Sequence, residues 1–74
     1  ENMIYLKNKD VPGVIGTVGI LLGEENVNIG TMNVGRKEDS AIMLLTVDEA
    51  VSKESIQKLK NNEKIKWAYY LNLK

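Results

Sequence analysis

The sequence predicts an α+β fold whose six elements follow one another in the order βαββαβ. Two observations carry this prediction. Four segments are apolar throughout or alternate apolar and polar residues with the two-residue period of a strand, and two segments repeat apolar residues at helical spacing. A chain of 74 residues can build only one small core, so these elements should form a single unit.

The first strand and the first helix are separated by a polar loop. Residues 3–7 alternate, with Ile4 and Leu6 on one side, which is the period of a half-buried strand. Pro12 suits the opening of a helix, where the missing N–H costs nothing, and Asn26 is a suitable stop. Between them, apolar residues recur at helical spacing and should pack on the sheet: Val14, Ile15, Val18, Leu21 and Leu22.

A hairpin should follow the first helix. Residues 27–35 alternate and indicate a strand, whereas residues 36–39 are polar and indicate a solvated turn in preference to a contact with a neighbouring domain. Residues 41–47 are apolar on both faces, so they should form an interior strand. The alternation in the first of these strands sets Ile29, Thr31 and Asn33 opposite Gly30, Met32 and Val34.

The last two elements are a short helix and a strand. Ser52 is a suitable N-cap, Glu54 lies in the first turn, and Val51 and Ile56 have the spacing of a hydrophobic staple, so a helix should run to about Lys60. The final strand sets Ile65, Trp67, Tyr69, Leu71 and Leu73 opposite Lys66, Ala68, Tyr70 and Asn72.

With right-handed crossovers, this order gives the ferredoxin-like sandwich, a four-stranded antiparallel sheet in the order 4-1-3-2 with two helices on one face. The second strand then lies at an edge. It contains neither Pro nor an internal Lys to prevent pairing with another chain. We therefore expect a homodimer, or a larger assembly, formed through the edge of the second strand.

Composition excludes several classes of function. The chain contains no Cys and no His, which removes disulfides, thiolate nucleophiles, zinc-type sites and imidazole bases. No catalytic residues, metal or cofactor are therefore expected in this domain. The ten basic and ten acidic residues are scattered, so no basic surface is expected for nucleic acid, and the aromatic residues Trp67, Tyr69 and Tyr70 should belong to the core and the sheet face.

The sequence carries no signal for a membrane. Its longest apolar run, residues 41–45, is far shorter than a membrane helix, and the N-terminus lacks the layout of a signal peptide. We expect a soluble, cytoplasmic protein. Because the chain begins with Glu1 and enters a strand at once, we also expect residues 1–74 to be one domain of a longer polypeptide.

The glycines of the first helix favour a packing role. Gly13, Gly16 and Gly19 lack the spacing of a dinucleotide-binding fingerprint. Gly16, Gly19 and Gly23 should instead let the helix approach the sheet or the second helix closely.

The loop between the first strand and the first helix is the candidate binding site. Asn8 and Asp10 lie beside a helix N-terminus, whose free N–H groups attract anions. The amides around Gly13 and Val14 could receive a carboxylate, and Asp10 could bind an ammonium group. The alternative, that Asn8 and Asp10 only cap the loop and helix, stays open.

A second candidate segment begins the second strand. The first and second strands run in the same direction, so Asn28 and its neighbour Ile29 lie at the opposite end of the sheet from Asn8. Antiparallel pairing of two second strands would bring the partner's Asn28 to the loop. The alternative is that Asn28 is simply a turn residue at the start of the strand.

Three segments resemble the ACT domain, most nearly the regulatory domains of D-3-phosphoglycerate dehydrogenases: residues 10–15 (DVPGVI), 26–29 (NVNI) and 32–37 (MNVGRK). The resemblance implies a ferredoxin-like fold, dimerisation by edge-strand pairing, and feedback binding of L-serine, the end product of the pathway. It also implies that Asn8, Asp10 and Asn28 supply ligand contacts. NAD would be bound by the catalytic domains of a parent enzyme.

Two departures and two alternatives accompany this resemblance. A member of the family has His at the position of Asn8 and Asn at the position of Asp10, and Asp10 should favour an ammonium group. The ACT domain of iron–sulfur L-serine dehydratase shares the Pro-Gly loop and the Asn-Ile start of the second strand. A domain that only dimerises, without a ligand, is the alternative of a different class.

Overall fold

The computed structural model describes residues 1–73, and Lys74, the last residue of the predicted domain, lies outside them. The predicted order of elements is confirmed. The elements are β1 (Asn2–Lys9), α1 (Val14–Glu24), β2 (Ile29–Lys37), β3 (Ser40–Val47), α2 (Lys53–Lys60) and β4 (Ile65–Asn72).

The sheet has the predicted topology. Its strand order is β2-β3-β1-β4, and each of the three pairs of neighbouring strands is antiparallel. This is the order 4-1-3-2 seen from the other side, so the ferredoxin-like prediction is confirmed. β2 and β4 are the two edge strands of the sheet. β2 is the more exposed of the two, because only Ile29 and Met32 in it are half-buried, whereas β4 contains two buried residues.

One core lies between the sheet and the helices. Residues on one face of β1 and β3 are buried, while their neighbours on the other face are mostly half-buried or exposed, so the helices cover one side of the sheet. The largest fully buried side chains are Ile4, Leu6, Met43 and Leu45 of the sheet, Val18 and Leu22 of α1, and Leu59 of α2.

The first helix is rotated relative to the prediction. Val14, Val18 and Leu22 are buried at a spacing of four residues, whereas Ile15 is 45% exposed, so its predicted packing on the sheet is wrong. One position along a helix turns a side chain by about 100°, which moves Ile15 off the buried face. Pro12 also lies outside the helix, because Gly13 takes a backbone conformation from which the helix starts only at Val14.

The predicted packing role of the α1 glycines is wrong. A Cβ added at Gly16, Gly19 or Gly23 would meet no atom within 4 Å among the described residues outside the backbone of α1. These glycines lie away from the sheet and α2, since the buried face of the helix is the one that carries Val14, Val18 and Leu22.

Irregularities in two strands interrupt the predicted alternation. The register of β2 shifts at Gly30, where a Cβ would lie 3.1 Å from Oγ1 of Thr46, so Ile29 packs against the core like Met32. A second shift occurs where β4 passes Asn8, and it leaves Ile65 buried on the same side as Ala68. The expectation that Ile29 opposes Met32 and that Ile65 opposes Ala68 is therefore wrong, because each shift adds one residue to one strand.

The aromatic residues lie in the core and on the sheet face, as predicted. Tyr5, Trp67 and Tyr69 form a row on the sheet face opposite the helices, with ring centroids 5.1 and 5.4 Å apart. Tyr70 packs against the core. Within residues 1–73 no helix is long and apolar enough to cross a membrane.

The second helix has the predicted cap and joins the first through Glu25. Ser52 accepts a hydrogen bond from the backbone N–H of Ser55. Ser55 Oγ donates to Glu25 Oε1 over 2.8 Å, and Lys58 Nζ lies 2.6 Å from Glu25 Oε2. These contacts tie α2 to the end of α1.

The Glu25 contacts predict a pH dependence. The hydrogen bond from Lys58, followed by the one from Ser55, lowers the pKa of Glu25 below its ordinary value of 4.5. A lowered folded-state pKa stabilises the fold above the ordinary value, and this contribution is lost as the pH falls through the folded value. Glu25→Gln should therefore lose less stability between pH 7 and about pH 3 than the unchanged chain, in urea unfolding at each pH.

The matched control is Glu24→Gln, which removes a carboxylate one residue earlier. It should keep the acid dependence of the unchanged chain. Equal acid sensitivity of the Glu25→Gln variant and the unchanged chain would show that this contact does not stabilise the fold.

Candidate functional site

The loop between β1 and α1 is held by backbone hydrogen bonds to two other segments. Lys9 N–H donates to the carbonyl oxygen of Lys64 over 2.9 Å, and Asp10 N–H donates to that of Asp39, also over 2.9 Å. A third bond, 3.0 Å long, closes the loop between Val11 N–H and the Lys9 carbonyl. The loop therefore has a fixed shape, and it lies against the turn of the β2–β3 hairpin.

Gly13 places the start of α1 at the end of this loop. Its φ of 90° lies in the left-handed region, which glycine adopts without the cost that a Cβ imposes. In the described chain, no side chain caps the N-terminus of α1, so its first N–H groups stay available to a ligand. The N–H and the Oγ1 of Thr17 both donate hydrogen bonds to the Gly13 carbonyl.

Asn8 is a buried polar residue with an unused acceptor. It is only 2% exposed, and its Nδ2 donates to the Lys9 carbonyl over 2.7 Å. Its Oδ1 has no hydrogen-bond partner within residues 1–73. An unpaired buried acceptor costs about 1–3 kcal/mol, so a donor supplied by a ligand would recover part of that cost.

A cavity of about 390 Å³ opens beside this loop. Its size lies within the usual range for small-molecule sites. Polar groups line it at the loop and at β2, and apolar side chains form the remaining walls. The lining residues are Asn8, Asp10, Val11, Pro12, Gly13, Val14, Ile15, Val34, Arg36, Ala41 and Met43.

A second, wider depression of about 500 Å³ lies on the opposite face of the sheet. It borders the hairpin turn and is lined in part by Lys7, Lys37 and Ile42. Arg36 borders both cavities. We assign the candidate site to the first cavity, because only that one contains the buried Asn8 and the uncapped start of α1.

Four of the six residues predicted for ligand binding meet in the cavity, namely Asn8, Asp10, Gly13 and Val14. Asn28 and Ile29 lie at the other end of the sheet, as expected for a single chain. Asn28 N–H donates to Glu49 Oε1 over 2.8 Å, and its carbonyl accepts from Asp48 N–H over 3.0 Å. Both bonds involve the backbone of Asn28, and its side chain is exposed.

Arg36 is a site residue that the sequence analysis missed. It was assigned to the polar turn, but it is still part of β2 and lines the cavity. Its Nε lies 3.4 Å from Asp10 Oδ1. The period of two along β2 places Met32, Val34 and Arg36 on one face, and this signal could have assigned Arg36 to the helix-covered side of the sheet.

The arrangement suits the binding of a small zwitterion. Asp10 and the unused Oδ1 of Asn8 can accept from an ammonium group, and the first N–H groups of α1 can donate to a carboxylate. The apolar walls leave room for a small side chain. Among residues 1–73, no three His, Cys, Asp or Glu side chains are grouped so that they could hold a metal ion.

Curated relatives of this chain are D-3-phosphoglycerate dehydrogenases. That of Methanocaldococcus jannaschii is 44% identical over 73 residues, which cover 96% of this chain and 14% of that protein. That of Bacillus subtilis is 42% identical over 62 residues, which cover 81% of this chain and 12% of that protein. The chain thus spans only a small part of the length of these relatives.

Solved structures share the fold at low sequence identity. The regulatory subunit of aspartate kinase from Thermus thermophilus, in its ligand-free form, has a TM-score of 0.78 at 22% identity, covering 96% of this chain and 50% of that one. The ACT domain from GTP pyrophosphokinase of Chlorobium tepidum has a TM-score of 0.72 at 15% identity, with 95% of each chain covered.

The family itself is shown by sequence. A sequence model of the ACT domain matches residues 2–64, which is most of the chain. The same span contains the loop, the cavity and the β2 edge described above. Together with the dehydrogenase relatives, this match establishes that the chain belongs to the ACT domain family.

Proposed function

We propose that this chain senses a free amino acid, L-serine, at an interface between two copies, and thereby regulates a D-3-phosphoglycerate dehydrogenase. The observation that carries the proposal is the cavity at the uncapped N-terminus of α1. The carboxylate of Asp10 lines this cavity, together with the buried Asn8, whose Oδ1 has no hydrogen-bond partner within residues 1–73. The relatives supply the enzyme class.

The ligand is held by complementary charges. Its ammonium group donates to Asp10 and, after a small movement of the cavity wall, to Oδ1 of Asn8. Its carboxylate accepts from the N–H groups at Gly13 and Val14, where the positive end of the helix dipole also favours an anion. The side chain of a small amino acid faces the apolar wall.

The second copy contributes Asn28. β2 is an exposed edge, and antiparallel pairing of two β2 strands about a two-fold axis brings the start of one β2 to the end of the other. Val34 and Arg36, near the end of β2, already line the cavity. The partner's Asn28, followed by Ile29, then closes the site, and each dimer holds two equivalent sites.

Regulation follows from this geometry by linkage. A ligand that contacts both copies binds the paired arrangement more tightly than any other, and it shifts the population by that difference in affinity. A coupling free energy of about 1–3 kcal/mol would change the affinity of a linked site roughly 5- to 150-fold. We expect the catalytic domains of the parent enzyme, rather than this domain, to bind NAD.

The proposal is tested by isothermal titration of this chain with L-serine, with glycine, L-alanine and L-phenylalanine as comparisons. We expect saturable binding of L-serine near one site per chain, with weaker binding of L-phenylalanine because of its larger side chain. A folded chain that binds none of these four amino acids would contradict the proposal.

The competing function is a module that only dimerises. The exposed β2 edge favours it, since edge pairing needs no ligand. Sedimentation during the same titration separates the two functions, because a ligand bound between two copies must strengthen their association. A dimer whose association is unchanged by saturating L-serine would favour the module that only dimerises.

A further inference from the structure

Arg36 and Asp10 form the only oppositely charged pair among the described residues that line the cavity. Arg36 is its one cationic side chain and Asp10 its one anionic side chain. The two groups come from different elements, since Arg36 lies in β2 and Asp10 in the loop before α1. The cavity of the empty protein is therefore electrically neutral, with both charges at its rim.

The pair is weak and easily opened. The Nε–Oδ1 distance of 3.4 Å is longer than the 2.7–2.9 Å of a good charge-assisted hydrogen bond. The Arg36 side chain is 70% exposed and that of Asp10 is 30% exposed, and exposed pairs contribute little to stability. Within residues 1–73 the ion pair with Asp10 is the one contact of the guanidinium with an opposite charge.

We propose that Arg36 is a ligand-binding residue, which leaves Asp10 when a free amino acid enters and binds the carboxylate of that ligand. The inference rests on the proposed function and adds a specificity determinant to it. The ammonium group of the ligand takes the place of Arg36 beside Asp10, and its carboxylate takes the place of Asp10 beside Arg36. A carboxylate has enough acceptor positions to bind the guanidinium and the helix N–H groups together.

The exchange predicts that the site binds a free amino acid more tightly than an amine or a carboxylic acid alone. A zwitterion gives Asp10 and Arg36 each a new counter-charge when it separates them, so no charge is left unpaired. An amine without a carboxylate would occupy Asp10 and leave Arg36 without a counter-charge, and a carboxylic acid without an amine would do the reverse. Selectivity for free α-amino acids over either fragment is then a property of the Asp10–Arg36 pair.

Arg36 also connects the ligand to the edge of the sheet. It lies on β2, the strand that we expect to pair with a second copy. A ligand held by both Asp10 and Arg36 ties the loop before α1 to this strand. The site thus gains contacts to the interface strand within one chain, in addition to those from the partner.

The experiment compares two probes, L-serine and L-serine amide, which keeps the amine and the side chain but lacks the carboxylate. Both are titrated at pH 6, where an α-amine is protonated, into the unchanged chain, Arg36→Gln and Lys37→Gln. Lys37→Gln is the matched control, since it removes one positive charge from the next residue, which lines the depression on the opposite face. Circular dichroism confirms folding of each variant.

We expect the unchanged chain and Lys37→Gln to bind L-serine at least about tenfold more tightly than the amide. Arg36→Gln should bind L-serine about tenfold more weakly, and its affinity for the amide should change by less than about twofold. Arg36→Lys should recover part of the loss, because it restores the charge without the planar fork.

Two outcomes overturn the inference while the proposed function stands. In one, Arg36→Gln binds L-serine as tightly as the unchanged chain does. In the other, it loses affinity for both probes equally, which would show that Arg36 does not bind the carboxylate. If the unchanged, folded chain binds neither probe, the proposed function fails and this inference fails with it.

Discussion

Replacing Leu45 with alanine is expected to unfold a large fraction of the chain at 25 °C. Leu45 is fully buried in β3, an interior strand of the sheet. Truncation of a buried leucine costs about 2–5 kcal/mol, and a domain of this size has a total stability of roughly 5 kcal/mol. The urea midpoint at fixed protein concentration should therefore fall sharply, or the folded baseline should vanish.

The matched control is Leu44→Ala, the same change at the adjacent residue. Leu44 lies on the opposite face of β3, where it is half-buried beside Tyr5. Without a covering helix, the truncation should cost about 1 kcal/mol. Equal losses at Leu44 and Leu45 would contradict the assignment of one core, on the helix side of the sheet.

Asp10→Asn is expected to reduce L-serine affinity roughly 10- to 100-fold, the largest effect on binding that the site predicts. The change keeps the size of the side chain but removes the charge that we propose to bind the ammonium group. The loop should keep its shape, because it is Asp10 N–H that bonds to Asp39. Titration calorimetry gives the affinity, and urea unfolding should show a stability loss below about 1 kcal/mol.

Asp39→Asn provides the control for charge alone. Asp39 is exposed in the neighbouring turn and does not line the cavity. Its replacement should leave L-serine affinity nearly unchanged. If both variants bind equally weakly, the effect belongs to the overall charge of this end of the sheet, and Asp10 has no direct contact with the ligand.

Much of the fold could be predicted because local rules and burial agree. The interior position of β3 follows from a run that is apolar on both faces, and the start of α2 follows from Ser52, whose hydroxyl caps the helix as expected. The loop before α1 was also predicted, because Asn8 and Asp10 precede a helix whose N-cap is Gly13. Its role in ligand binding stays a prediction.

The register shifts and the rotation of α1 depend on details that alternation does not contain. The register shifts at Gly30 and beside Asn8 come from single extra residues in one strand of a pair. The rotation of α1, which exposes Ile15, is set by which of several apolar residues fits the sheet. Alternation along β2 could have placed Arg36 on the helix-covered face, but its ion pair with Asp10, 26 positions away in sequence, forms only in the folded chain.

The central claim is that each site takes residues from two chains, and mixing two variants with weakened binding tests it most directly. Asp10→Asn damages the loop half of the site, and Asn28→Ala damages the half supplied by the partner. Each variant alone forms dimers in which both sites are damaged. A mixed dimer has one site with both defects and one site with neither.

The measurement is titration of L-serine into an equal mixture of Asp10→Asn and Asn28→Ala chains that were unfolded and refolded together. Random pairing makes half of the dimers mixed, so sites of unchanged affinity should return at about one quarter of the unchanged chain's number. If mass spectrometry shows mixed dimers and no such sites return, or if Asn28→Ala alone binds normally, the ligand is not shared between two chains.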